Sequence, residues 1–192
     1  MCDIINWSFI IAYFMKLSRL ASVVLSLVLF GFGCGSKATT SDVPDGYTRF
    51  GVPAKHWSIG YPNKWTLDES KKESGGLVYF YSPKGTKDQE HANINVNALS
   101  GIGSASAAEM ITAQKSALEA NGAKNVTGNE TTIPAGPAVV FTYSVTQGST
   151  QLFGKQYGLF NGSNFYVLTF TGDEEGKTDF LSTFEEMTKT FK

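Results

Sequence analysis

The feature that most limits the fold is an unbroken succession of strand signals joined by tight turns. Gln151 to Phe160 and Asn164 to Thr171 flank Asn161-Gly162, a dipeptide suited to a two-residue hairpin turn. Lys124 to Ile133 and Ala138 to Thr146 precede them, with Pro134 to Pro137 as the turn between. Strands joined this closely pair antiparallel, because parallel neighbours need a crossover of a dozen or more residues. The N-terminal half repeats the pattern. Thr48 to Phe50, His56 to Ile59, Trp65 to Leu67 and Leu77 to Tyr81 carry bulky residues suited to short strands. Tyr61-Pro62-Asn63-Lys64-Trp65 and Ser82-Pro83-Lys84-Gly85 have the composition of turns. In His91 to Leu99, Ala92, Ile94, Val96 and Ala98 alternate with His91, Asn93, Asn95 and Asn97. That period of two predicts a strand with one apolar face and one wet face.

Two helices punctuate the strands. Ser106-Ala-Ala-Glu109 has capping-box spacing. Ala107, Met110, Ile111, Gln114, Ala117 and Leu118 then form a helical stripe that stops at Asn121-Gly122. The last element carries Phe180, Phe184, Met187 and Phe191 at i, i+4, i+7 and i+11, a helical aromatic face to lay on a sheet. The order strands, helix, strands, helix predicts an α+β fold with a central, mainly antiparallel sheet flanked by helices.

The N-terminus reads as an address rather than as part of the fold. Met15-Lys16-Leu17-Ser18-Arg19 is a short basic segment, Leu20 to Phe32 an apolar run, and Gly31-Phe32-Gly33-Cys34 a small-residue cleavage region. Translation is expected to start at Met15, leaving residues 1–14 as an upstream extension. Leu20 to Phe32 is short for a membrane span. The segment resembles a bacterial lipoprotein signal, in which the cysteine after the cleavage point carries a thioether-linked diacylglycerol. Gly33 and Cys34 match its last two positions; Gly31 stands where leucine is usual and Phe32 where alanine or serine is usual. The resemblance implies that Cys34 is lipidated and becomes the new N-terminus. Two or more acyl chains, palmitate among them, anchor a protein stably where one does not. Gly35 follows the cysteine, so the aspartate that retains some Gram-negative lipoproteins at the inner membrane is absent.

This division gives three parts: a leader over 1–33, a lipidated polar tether over 34–46, and a folded domain over 47–192. Without residues 1–33 the chain keeps 14 basic and 16 acidic residues, a net charge of −2. Such a balance offers no general field for phosphates, so nucleic acid is not an expected partner. Cys34 becomes the sole cysteine, which excludes a disulfide scaffold.

Motifs for chemistry are sparse. Gly101-Ile-Gly103-Ser-Ala-Ser106 lies between a strand and a helix but lacks the third glycine and the βαβ context of a dinucleotide loop. His56 and His91 are the only histidines, and no paired-cysteine or His-Glu-x-x-His spacing nominates a metal. No Gly-x-Ser-x-Gly elbow marks a nucleophile. Asp173-Glu174-Glu175 reads as a solvated acidic turn without calcium-loop spacing. Trp57, Tyr61 and Trp65 read as core and turn packing before they read as a binding surface. No catalytic, cofactor-binding or metal residue is therefore expected.

Trp57 to Trp65, Ala92 to Val96, Ile133 to Gly136 with Ala138 to Tyr143, and Tyr166 to Phe170 with Phe180, Phe184 and Thr190-Phe191 together resemble the PsbP family and, more broadly, the PsbP-like and DcrB-related lipoproteins. Trp57-Ser-Ile-Gly-Tyr-Pro-Asn-Lys-Trp65 is similar to the family's opening aromatic hairpin, and Ala92 to Val96 to its next internal strand. Ile133-Pro-Ala-Gly136 with Ala138 to Tyr143 is similar to a later strand. Tyr166 to Phe170, followed by Phe180, Phe184 and Thr190-Phe191, is similar to the closing strand and helix. The resemblance implies an α/β/α sandwich and a non-catalytic role in binding or assembly. Photosynthetic members support oxygen evolution, and a Ran-binding nuclear factor shares the fold. The lipoprotein signal departs from plant PsbP targeting, so a photosystem role is not carried over. The reading that results is a lipid-anchored protein on the extracytoplasmic side of the cell membrane or outer membrane. It binds or stabilises an envelope partner and is not an enzyme. The alternatives are a carrier of a small ligand or lipid, and an envelope enzyme with a dispersed site.

Overall fold

The computed structural model describes residues 43–70, 77–83, 92–100, 105–161 and 164–192. The leader with Cys34, His91 and the Gly101–Gly103 loop lie outside the described residues.

The sheet grows from the hairpins anticipated at the C-terminal end. Strands β6 (Lys124–Ile133), β7 (Gly136–Gln147), β8 (Thr150–Asn161) and β9 (Asn164–Gly172) form an antiparallel meander. Strand β9 then pairs with β5 (Ala92–Ser100) along its whole length, Ala92 opposite Gly172 and Ser100 opposite Asn164. β4 (Leu77–Tyr81) and β3 (Thr66–Asp68) complete a seven-stranded sheet in the order β3-β4-β5-β9-β8-β7-β6. Helix α1 (Ala107–Ala120) lies in the chain between β5, third in the sheet, and β6 at the far edge, and the meander walks back to β5.

Each helix covers one face, and the alternation along β7 shows why. Ala138 belongs to the core beneath helix α2 (Glu174–Lys189), with Val140 packed against it, whereas Val139, Phe141 and Tyr143 pack beneath α1. A strand buried on both faces needs apolar residues at successive positions. This accounts for the run Ala138-Val-Val-Phe141. The α2 core is the larger one: Ile94, Val96, Leu168 and Phe170 of the sheet meet Phe184 and Met187 of the helix.

Both helices begin on side-chain caps. The Ser106 hydroxyl accepts from the Glu109 amide at 3.2 Å, and the Glu109 carboxylate accepts from the Ser106 amide at 2.8 Å. Asp173 accepts from the Gly176 amide at 2.7 Å, and Glu174 and Glu175 occupy the first turn of α2. The acidic segment expected as a solvated turn is thus a helix start, where negative charge offsets the helix dipole.

Strands β1 (Tyr47–Val52) and β2 (Trp57–Pro62) form a separate two-stranded ribbon that contributes Val52, Trp57 and Ile59 to the α2 core. The chain's last residues clasp it. Lys192 exchanges backbone hydrogen bonds with Ser58 at 2.9 and 3.0 Å, and the Gly60 amide donates to the Thr190 hydroxyl at 2.7 Å. Phe191, expected on the helix, lies beyond its end; it stacks on Trp57 with ring centroids 6.1 Å apart. The described residues just before β1 are seated on the same ribbon. A Cβ on Gly60 would come within 2.6 Å of Val43, and the Asn63 amide donates to the Gly46 carbonyl at 2.9 Å.

Candidate functional site

The sheet face beneath α1 changes character away from the helix. Near β6 and β7 it is apolar; across β8, β9, β5 and β4 amides and hydroxyls alternate with Phe160, Phe165, Val167 and Leu77. The register places Phe141, Gln156, Thr169, Asn95, Tyr79 and Asp68 in one row across six strands. Parallel rows pair Asn93 with Thr171 and Tyr81, and Asn97 with Val167 and Leu77. The alternation of β5 therefore puts three asparagines on one line, as expected. The face they share is not fully wet: Asn95 is 9% exposed, Thr169 1% and Gln156 2%.

Part of this surface is internally satisfied. The Gln114 side chain of α1 donates to the Gln156 carbonyl oxygen at 2.7 Å, and the Gln156 amide donates to the Thr169 hydroxyl at 3.0 Å. This chain ties the helix to the sheet with neutral groups. Tyr79 and Tyr81 stack with rings 6° from parallel and centroids 5.8 Å apart. Burial, and then the negative charge of Asp68, push the Tyr79 phenol above its usual pKa, so it stays a neutral hydroxyl.

Another part is open. Among the described residues, two buried side-chain polar atoms lack a hydrogen-bond partner, Trp57 Nε1 and Asn97 Oδ1. The indole nitrogen belongs to a ring packed between Phe50 and Phe191 in the core. The Asn97 oxygen has Leu77 and Val167 as its cross-strand neighbours. A buried acceptor without a donor costs about 1–3 kcal/mol. This face is the candidate functional site.

A second polar cluster, on the opposite face, is a clasp. Lys155 meets Glu185 of α2 at 2.5 Å, and the Tyr157 hydroxyl donates to the same carboxylate at 2.8 Å. Burial draws the Lys155 pKa down, but the Glu185 hydrogen bond and charge outweigh it and hold the ammonium above its usual value. Burial and then Glu185 raise the Tyr157 phenol. Both groups are protonated in the clasp, and both have folded pKa values above their unfolded ones. Their contribution is complete below pH ~10 and is lost as the pH rises through the folded values. Stability is therefore expected to fall at alkaline pH. Glu185→Gln should shallow that fall, as denaturant melts from pH 8 to 11 would measure.

The remaining sequence candidates do not converge. His56 is exposed in a left-handed turn (φ 55°) after the short helical turn Pro53–Lys55. Trp57 and Trp65 are core residues, and Tyr61 packs against that core. Among the described residues, no group of three or more His, Cys, Asp or Glu could hold a metal ion, and no helix is long and apolar enough to cross a membrane. Gln114 was read only as part of the helical stripe, and Gln156 and Thr169 were not singled out in the sequence. The signal for Gln156 was a lone amide inside the aromatic run Phe153 to Phe160.

No family model matches the chain, and no curated protein does. Solved structures do. Cyanobacterial PsbP (CyanoP) from Synechocystis sp. PCC 6803 is 16% identical with a TM-score of 0.54, covering 82% of this chain and 97% of its own. The Ran-binding protein Mog1p of Saccharomyces cerevisiae is 10% identical with a TM-score of 0.53, covering 76% and 94%. LpqN of Mycobacterium tuberculosis, described as involved in cell envelope biogenesis, is 12% identical with a TM-score of 0.50, covering 77% and 84%. The chain thus shares the PsbP-like fold: a large antiparallel sheet flanked by two helices.

Proposed function

We propose that this chain is a lipid-anchored extracytoplasmic lipoprotein, related to the PsbP-like and DcrB-related lipoproteins, whose folded domain binds or stabilises a protein partner in the cell envelope. The observation that carries the reading is the order basic segment, apolar run, Gly33-Cys34 and polar tether, placed immediately before a domain of this fold. Cys34 supplies the thiol for the lipid, and the polar tether that runs to residue 46 joins it to the domain. A near-neutral charge leaves membrane attachment to the acyl chains rather than to a basic face.

The fold relatives supply support in kind. Mog1p is named for binding another protein, and LpqN for a role in envelope biogenesis. Within the domain, the satisfied Lys155–Tyr157–Glu185 clasp holds a helix rather than presenting a reactive group. Binding is thus a better reading than catalysis.

The test is Cys34→Ala with membrane fractionation. The variant is expected to leave the membrane pellet or to accumulate with its leader uncut. A variant that stays membrane-bound and is still cut before residue 34 would contradict the reading. Crosslinking in intact envelopes, followed by recovery of the wild-type protein, then identifies the partner.

A further inference from the structure

We propose that two copies of this chain join edge to edge through β6, pairing antiparallel about a two-fold axis that passes through Asn129. This pairing goes beyond the anchored-lipoprotein reading and stands on the geometry of the strand alone.

The two edges of the seven-stranded sheet differ. At one end β3 is three residues long, and its Asp68 carboxylate accepts from the Ser70 amide at 2.8 Å. So short a strand is a blunted edge. At the other end β6 runs for ten residues. Its start is bulged: the register slips between Lys124 and Thr127, and Asn125 is left-handed (φ 55°). From Thr127 to Ile133 it pairs with β7 without interruption. This stretch has no proline and no lysine, and Glu130 is its one charge. Among the described residues, no backbone hydrogen bond joins it to any segment but β7. An edge with open backbone groups is a template for another strand.

The turn fixes which groups are open. Ile133 and Gly136 flank the two-residue connection Pro134–Ala135 and form the closing pair of the hairpin. Hydrogen-bonded pairs alternate from there, so Thr131, Asn129 and Thr127 bond to β7. Pro137, which has no amide to give, stands opposite Thr132, where none is needed. Gly128, Glu130 and Thr132 therefore turn their N–H and C=O groups outward. A two-fold axis perpendicular to the sheet must pass through a residue, because opposed residues share a face. Centred on Glu130, it would oppose two carboxylates. Centred on Gly128, it would run into the bulge, and centred on Thr131, it would bring Gly128 against Pro134 in the turn. Centred on Asn129, it sets Gly128 opposite Glu130 of the second copy, and the two exchange backbone hydrogen bonds. Thr127 then meets Thr131 of the second copy, beside the hydroxyl contact it already makes with Thr142 at 2.7 Å. Opposed threonines are a favourable cross-strand pair. Asn129 is exposed and meets its own copy. The edge is thus complementary to itself, a condition that a second copy imposes and an unrelated strand does not.

The experiment is disulfide trapping of the full chain in intact cells, with a mild oxidant and non-reducing gels. Wild type, which carries Cys2 and Cys34, gives the background. Asn129→Cys is expected to yield at least about tenfold more linked dimer than wild type, since the Cα atoms of such a pair lie about 4.5 Å apart, within disulfide reach. Thr132→Cys should match wild type, because its two copies stand about 20 Å apart in this register. Glu130→Pro, added to Asn129→Cys, removes an outward N–H without breaking a bond to β7. The linked dimer should then be lost while the protein stays folded, as a thermal melt checks. The pairing is overturned by Asn129→Cys that links no more than wild type, by equal trapping of Thr132→Cys, by linkage of Asn129→Cys to a chain of another mass, or by a folded proline variant that still links. The cysteine comparison decides without the proline variant. Neither needs a lipid on Cys34, so failure here is distinct from failure of the anchored-lipoprotein reading.

Discussion

Phe184→Ala is expected to destabilise the domain by about 3–5 kcal/mol, a large part of the stability of a chain this size. Phe184 is fully buried (0% exposed) at the middle of α2. Its ring lies 5.7 Å from Tyr157 and 5.8 Å from Phe170, centroid to centroid. Removing it takes away the contact through which the helix grips β8 and β9 and leaves a cavity that the rigid sheet cannot collapse to fill. Equilibrium denaturant unfolding measures the loss, and the melting temperature should fall by about 10 °C. A loss under 1 kcal/mol would mean that α2 does not close this core. Phe180, half-buried near the start of the helix against Trp65, should tolerate the same truncation better.

Gly154→Val is the second large effect, on the opposite face. Gly154 pairs with Tyr143 across β8 and β7, and the tyrosine ring lies directly over its Cα, inside contact distance of any added Cβ. The ring thereby fills the space that the glycine leaves and is buried beneath α1. Burial also raises the Tyr143 phenol pKa well above its usual value. A valine must push the ring out of the α1 core or bend the strand. Overpacking of this kind costs about 1–3 kcal/mol, and the displaced aromatic contacts place Gly154→Val at the upper end. Tyr143→Ala combined with Gly154→Val should recover part of the loss, so the double-mutant cycle would show coupling of about 1 kcal/mol or more. Additive losses would mean the ring and the glycine are independent.

Much of this architecture was legible in the sequence because local rules and tertiary packing agree. The capping box at Ser106 and the turn before Gly136 fall where local chemistry puts them, and β8 and β9 pair antiparallel out to Asn161 and Asn164, with residues 162 and 163 outside the described residues. The failures have physical causes. Phe191 continues the helical spacing of Phe180, Phe184 and Met187, but a period says nothing about where a helix stops. Here Thr190 ends it, with its hydroxyl donating to the Met187 carbonyl at 2.7 Å. The next residues extend to pair with Ser58. Asn95 looked solvent-facing because polar residues at alternate positions usually are. The large burial of its row depends on Gln156, Thr169 and Tyr79, which come from three other strands. That convergence requires register, and register between distant strands is not written in any single segment. The helical stripe of α1 included Gln114, but nothing local paired it with Gln156, forty-two residues away.

The two proposals draw on different parts of the chain. The anchor rests on residues 16–34 as a sequence signal, and the further inference on the folded domain. Residues 43–46, read from the sequence as the end of the tether, pack against Gly60 and Asn63.

The most direct test of the central claim is the intact mass of the protein extracted from membranes with detergent. A chain that begins at Cys34 and carries a diacylglycerol thioether and further acyl groups is the predicted result. A mass that retains residues 16–33, or that begins at residue 34 with a free thiol, would contradict it.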